Sequence, residues 1–428
     1  MKFICALFAL IIVTTPVMGQ DFDAGAFDST IDTALSEWGT PGAAVAIIAD
    51  GEVVHLKGYG ALKSGLGRPV DPDTVFAIGS NGKSFTAVLL GTLADEGLLR
   101  FSDPLAMHVP GFTMLEPYAA KQVNFLDALG HRSGLGEQSG LAAWYLFGRD
   151  RPTMISLIGQ MPEAHGFRSS FAYNNAMFVV AGTAAEAVTG KDYETLVDER
   201  ILQPLGMKRS GASLATTRID DNVATPHHFV GGVATPVPYH DVSGAAPAGS
   251  MNSTARDMSQ FVRMLIGMGT VDGIEVLEPE TATAIQRLRH NFTPTELVEI
   301  QQLFSLIEQP DRVKVLGYGL GLAVMVYGDT RFVMHGGSID GMTSWMAWSP
   351  ERKIGYLCLT NASNMFLPFA LMFEAINPLL NLPPDHVAAR LMGLKDAITN
   401  PPGLAPPANP APPVSSAAVL AGRYSNIM

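Results

Sequence analysis

Thr74-Val75-Phe76-Ala77-Ile78-Gly79-Ser80-Asn81-Gly82-Lys83 joins a strand-like run to a segment of helical spacing, and the place of Ser80 and Lys83 within it decides the reading of the chain. Phe85, Val88, Leu89 and Leu93 recur at helical intervals and the pattern stops at Gly97, which predicts a helix with Ser80 at or just inside its N-terminus. Residues three apart share a helix face, so the Lys83 amine is within reach of the Ser80 hydroxyl. The unpaired N–H groups of a first turn add positive potential where an oxyanion would form. A hydroxyl, an amine and such a turn outline a serine acyl-transfer site.

Two later segments extend it. Tyr173-Asn174-Asn175 follows at domain-scale distance, and His335-Gly336-Gly337 comes directly after the strand-like run Arg331 to Met334. Together they resemble the S-x-x-K, Y-x-N and K/H-x-G signature of the penicillin-recognising serine hydrolases, a family of class C β-lactamases, DD-peptidases, D-aminopeptidases and lipase-like esterases. The connecting text is similar too, in Val123 to Leu135 (with His131-Arg132-Ser133-Gly134-Leu135), Gly182 to Met207 and Pro247 to Met258. The likeness runs from about Gly39 to Asn361.

The resemblance implies an α/β fold of the α+β type: the β-lactamase/transpeptidase-like antiparallel sheet flanked by helices, with an inserted, mostly helical domain. It makes Ser80 the nucleophile and Lys83 with Tyr173 the proton-transfer pair. Asn175 would orient Lys83 and donate its amide to the substrate carbonyl. His335, Gly336, Gly337 and Ser338 would form the sheet edge facing the site, with two glycines admitting substrate backbone closely and the Ser338 N–H joining that of Ser80 as oxyanion donor. No cofactor or metal is implied.

A serine hydroxyl needs a base. The ordinary pKa of lysine is ~10.4 and that of tyrosine ~10, so each depends on its surroundings. An ammonium beside the phenol is expected to lower the tyrosine pKa, and the helix N-terminus that of the lysine. Strongly coupled groups titrate as a pair, so the sequence leaves open which is the base.

At the third motif β-lactamases carry Lys-Thr-Gly, a fixed cation and a hydroxyl for the substrate carboxylate. Histidine, with an ordinary pKa of ~6.5, is mostly neutral at pH 7, and Gly336 has no hydroxyl. A charge-assisted hydrogen bond is worth ~1.5–3 kcal/mol, so its loss costs about one to two orders of magnitude in β-lactam turnover. The expected activity is therefore hydrolysis of an ester or a small amide, of esterase or D-aminoacyl/DD-peptidase type. The alternatives are a class C-like β-lactamase and a non-catalytic penicillin- or peptidoglycan-binding sensor. The partner is a small-molecule or peptide substrate, and the oligomeric state is not readable. Arg132 is a secondary candidate for a substrate carboxylate. Trp144, Tyr145 and Phe147 read as a core cluster, with roofing of an acyl pocket as the alternative.

Along the chain, Ala43 to Ile48 and Glu52 to Leu56 flank Asp50-Gly51, a hairpin signal. Strand-like runs return at Gly321 to Tyr327, Arg331 to Met334, Thr343 to Trp348 and Ile354 to Leu359. Early and late strands then make one antiparallel sheet, with a helical region of about 84–303 between them and the site where the two meet. Residues 1–19 read as a signal peptide: Lys2, the apolar run Phe3 to Val13, and small residues before Gln20. The hydrolase domain covers 20–395, a Pro/Ala-rich linker 396–417, and 418–428 opens a C-terminal β module or is a degenerate tail.

Of 428 residues, 47% are apolar, enough for a large core, and no run approaches the ~20 needed to span a bilayer. An exported protein, periplasmic or extracellular, is expected. A net charge of −12 without clustered Lys and Arg disfavours nucleic acid as a partner. Cys358, alone once Cys5 leaves with the signal, is expected to be a buried small hydrophobe. His227-His228 lacks a third spaced ligand, so zinc has no support.

Overall fold

The Asp50-Gly51 turn is built as its sequence demands. β1 (Gly42–Ala49) and β2 (Glu52–Gly60) pair antiparallel around it, with φ of 53° at Asp50 and 85° at Gly51. Two left-handed residues match the twist of a two-residue hairpin. The computed structural model describes residues 22–217, 220–293, 296, 312–383 and 386–392. The expected signal peptide, linker and C-terminal tail lie outside these residues, as does the far boundary of the helical region near residue 303.

Short pairs follow the first hairpin: β3 (Phe76–Ala77) with β6 (Asn252–Ser253), β4 (His227–Val230) with β5 (Val233–Pro236), and β7 (Thr270–Val271) with β8 (Ile274–Glu275). Then come β9 (His290–Asn291), β10 (Val313–Tyr318), β11 (Ala323–Tyr327), β12 (Thr330–Ile339), β13 (Met342–Ser349) and β14 (Ile354–Thr360). The main sheet has the order β2-β1-β14-β13-β12-β11-β10-β9, antiparallel throughout. The antiparallel sheet flanked by helices is thus as expected.

Both faces of the sheet are covered, which is why β1 and β14 read as unbroken apolar runs rather than as alternating ones. Ala44, Ala46, Ile48, Leu357 and Leu359 face one core, with the α2 helix (Gly82–Asp95) and the helix Ala255–Ile266. Ala43, Val45, Ile47, Tyr356 and Cys358 face the other, closed by α1 (Ala24–Trp38) and the helix Phe366–Leu379. Cys358 is buried, as expected.

Four features depart from the sequence expectation. Of the run Thr74 to Ile78 only β3 is a strand, and it pairs with β6 outside the main sheet. β9 and β10 extend that sheet beyond the expected strands. The α1 helix was not expected, although Phe27, Ile31, Leu35 and Trp38 make a buried stripe, Asp23 caps its start and Gly39 at φ 66° ends it. The helix Phe366–Leu379 is apolar almost all round, so its periodicity is faint; its packing in the second core, not an amphipathic pattern, defines it.

Candidate active site

Ser80 sits in a one-turn 3₁₀ segment, Gly79–Asn81, that leads into α2. Gly79 takes φ 52° there, a left-handed value that glycine adopts freely. A Cβ on Gly79 would lie 2.7 Å from the Ser338 backbone nitrogen, so glycine also lets the turn press against β12. A Cβ on Gly337 would come within 1.9 Å of the Ile78 carbonyl oxygen. Asn81 locks the turn from behind: its Nδ2 donates to Ser344 Oγ (2.7 Å), which donates to the Ile78 carbonyl (2.8 Å).

The Ser80 hydroxyl is held on two sides. Lys83 Nζ lies 3.0 Å from Ser80 Oγ, and the Tyr173 hydroxyl donates to the same oxygen at 2.8 Å. Lys83 also donates to the Ala248 carbonyl at 2.7 Å. Its amine lies 4.8 Å from the centroid of the Tyr173 ring and 5.4 Å from that of Phe178. Full burial drives the Lys83 pKa well below the ordinary lysine value, opposed in part by the Glu137 charge. Burial pushes the Tyr173 phenol up, against the hydrogen bond to Ser80, so the tyrosine stays protonated. The expected lowering of the tyrosine pKa by an adjacent ammonium therefore does not occur: desolvation dominates both groups, pushing the lysine down and the tyrosine up.

His335 is neutral for the same reason. Its Nδ1 lies 2.5 Å from the Gly336 carbonyl, which only accepts, so Nδ1 carries the proton; Nε2 then accepts from the Tyr318 hydroxyl at 2.9 Å. Burial, the main cause, pushes its pKa down to about 3. With both nitrogens engaged, His335 offers no cation to a substrate.

A cavity of about 790 Å³ opens over Ser80, lined by Tyr173, Asn175, His335, Gly336 and Ser338 together with a largely apolar wall. The structure thus brings together all eight residues singled out from the sequence, with two adjustments. Asn175 faces the cavity but makes no hydrogen bond to Lys83, whose second partner is Ala248; its neighbour Asn174 is the structural one, bonded to the Gly136 and Ser139 carbonyls and to the Met177 N–H. Gly337 admits the nucleophile turn rather than substrate, because Ile78 occupies the space beside it.

Arg132 does not line the cavity; its guanidinium donates to the Arg168 carbonyl. Trp144 and Tyr145 do line it, Trp144 also packing against the first core as expected, and Phe147 is exposed. Tyr145 donates to Asp340, which also bonds His240 Nδ1 at 2.6 Å. Among the described residues no cluster of His, Cys, Asp and Glu is suited to a metal, and no helix is long and apolar enough to cross a membrane.

Sequence reasoning missed His131 as a functional neighbour. It is buried, its ring centroid lies 4.3 Å from that of Tyr173, and burial holds its pKa well below the ordinary value. A positive φ of 55° at a histidine is the signal of its special place, and only coordinates show it. Glu296 is a second: it accepts the Phe171 N–H at 2.6 Å, two residues before Tyr173.

Comparison with known proteins gives the family and the fold. Penicillin-binding protein 4 of Amycolatopsis lactamdurans is 26% identical, over 94% of this chain and 98% of its own. An unguisins hydrolase of Aspergillus violaceofuscus is 25% identical over 84% of this chain, which spans 65% of that relative's length. The octameric penicillin-binding protein homologue of Pyrococcus abyssi superposes with a TM-score of 0.73 at 27% identity, over 85% of this chain and 79% of its own. The D-amino acid amidase of Ochrobactrum anthropi SV3, at a TM-score of 0.66 and 23% identity over 83% of this chain and 98% of its own, shares the fold. The Beta-lactamase family model matches residues 27–377, so the chain belongs to that family and has its serine-hydrolase fold.

Proposed function

We propose that the chain is an exported serine hydrolase that passes through an acyl-Ser80 intermediate, acting on small amides or esters whose acyl part carries an ammonium and a large apolar group. The observation that carries the chemistry is the Ser80 oxygen held between Lys83 at 3.0 Å and Tyr173 at 2.8 Å. Because Tyr173 donates to that oxygen, the Ser80 proton is free to point at the neutral Lys83 amine. Lys83 takes the proton as Oγ bonds to the carbonyl carbon. The backbone N–H groups of Ser80 and Ser338 receive the oxyanion, and Asn175 donates to the substrate. The proton returns by way of Tyr173 to the leaving nitrogen or oxygen as its bond to the carbonyl carbon breaks. Water then repeats the steps on the acyl-enzyme and frees Ser80.

The substrate class follows from charge. Glu137 and Asp340 line the cavity and, among the described residues, no lysine or arginine does, while His335 is neutral. A substrate carboxylate finds no cation there, whereas an ammonium meets Glu137. A partly exposed ion pair of ~1 kcal/mol corresponds to about fivefold in kcat/KM. The leader-like residues 1–19 support export.

Kinetics on D-phenylalanine p-nitroanilide, its N-acetyl derivative, p-nitrophenyl acetate and nitrocefin test this, with a fluorophosphonate probe for Ser80. The free amine should be turned over about fivefold faster than the N-acetyl compound, with nitrocefin slowest. A preference for nitrocefin overturns the substrate class in favour of a β-lactamase. Labelling of Ser80 without turnover of any substrate favours the sensor, and labelling that persists in Ser80→Ala refutes the nucleophile.

A further inference from the structure

Gly336 and Trp345 face each other across the β12–β13 ladder, and both line the cavity. A Cβ on Gly336 would lie 2.5 Å from Cζ3 and 2.6 Å from Cε3 of the indole, far inside van der Waals contact. The indole has no easy retreat. It packs edge-on against Phe369 at 4.9 Å between centroids, and Phe369 is itself buried in the helix Phe366–Leu379. Among the described residues no hydrogen bond holds the indole in place, because its Nε1 is buried without a partner there. Its area and shape are therefore what it contributes.

We propose that Trp345 is a specificity-determining residue: its indole, which Gly336 alone accommodates, forms a flat apolar wall that limits the size of the substrate group lying beside β12. This rests on the reading of the cavity as the substrate site. Residue 336 is held as glycine by the ring, so a hydroxyl-bearing side chain there is excluded sterically. An aromatic surface takes the place of polar recognition at that point, which suits a planar apolar group and penalises a bulky or charged one.

The test combines Trp345→Ala, Trp345→Phe, Gly336→Ala and the Gly336→Ala/Trp345→Ala pair, assayed on p-nitrophenyl esters from acetate to octanoate. In Trp345→Ala the octanoate-to-acetate ratio of kcat/KM should rise at least about fivefold, while Trp345→Phe, which gives up no hydrogen bond, should stay within about twofold of the parent. Gly336→Ala should cost at least about tenfold in kcat/KM and lower the Tm in the parent. Both losses should largely vanish in the Trp345→Ala background.

An unchanged ester ratio in an active, folded Trp345→Ala enzyme overturns the specificity role. Equal costs of Gly336→Ala in both backgrounds overturn the steric pairing. A wild-type protein that hydrolyses no ester and leaves Ser80 unlabelled overturns the functional reading and the specificity role with it, while the Tm comparison still decides the pairing.

Discussion

His131 brackets Tyr173: its carbonyl accepts the N–H of Ala172 at 2.8 Å, its Nδ1 accepts that of Asn174 at 3.0 Å, and its ring lies 4.3 Å from the tyrosine ring. Both backbone neighbours of the tyrosine are thereby fixed by one residue. Burial keeps the imidazole neutral, so Nδ1 retains the lone pair this needs. His131→Asn tolerates the left-handed backbone but gives up the ring. It should lower kcat about 10- to 100-fold through misplacement of Tyr173, with KM little changed. A variant that loses only Tm, with unchanged kcat in its folded fraction, would make His131 purely structural.

Lys83 and Tyr173 share one oxygen, so their substitutions should not add. Lys83→Ala and Tyr173→Phe should each lower kcat by about 10²–10⁴, and the double variant by little more. The pH profile follows from the opposite shifts. kcat/KM should rise as pH climbs through the lowered Lys83 pKa and then stay level to about pH 10, because the raised tyrosine keeps its proton there. An alkaline limb close to neutrality contradicts this assignment.

Glu137→Gln separates two effects of one charge. The carboxylate raises the Lys83 pKa, so its removal should move the acid limb of the profile to lower pH. Turnover of an ammonium substrate should fall about fivefold while that of p-nitrophenyl acetate at the plateau is unchanged. An equal loss on both substrates would place Glu137 outside substrate recognition.

Glu296 ties down the approach to Tyr173. It accepts the N–H groups of Phe171 and Thr293, both at 2.6 Å, and pairs with His290 at 3.2 Å. Backbone and side-chain hydrogen bonds outweigh desolvation and bring its pKa to about 2. A lowered carboxylate stabilises the fold above its unfolded pKa, and that contribution is lost as pH falls from about 4.5 towards 2. Glu296→Gln should cost about 1–3 kcal/mol at neutral pH. Thermal melts across this range should show the gap between parent and variant closing as the pH drops; a gap independent of pH would mean that the charge is not what matters.

The parts legible in the sequence are those governed by local geometry. Ser80 and Lys83 meet because three residues of helix bring them together, and Asp50-Gly51 turns a hairpin because both residues accept positive φ. β12, β13 and β14 announce themselves as β-branched and aromatic runs between turn residues. The three motifs, in order, identify the family before any coordinate is known. β9 and β10 were missed because they are short or interrupted by Lys314 and Gly317, and α1 because its stripe lies in a stretch of mixed polarity.

What the sequence by itself determined is the inventory of reactive groups and the family that carries them. The tertiary structure decided their electrical state and their neighbours, because burial and strand register join residues far apart in the chain. Enclosure pushes the Lys83 pKa down and the Tyr173 pKa up, and the amine is anchored on the Ala248 carbonyl, 165 residues away. His335 takes its tautomer from the adjacent Gly336 carbonyl and from Tyr318, a partner that β10 supplies only when paired into one sheet with β12 through β11. Gly336 is bound to Trp345 by the β12–β13 register, and no local pattern encodes the 2.5 Å between a missing methyl group and an indole ring.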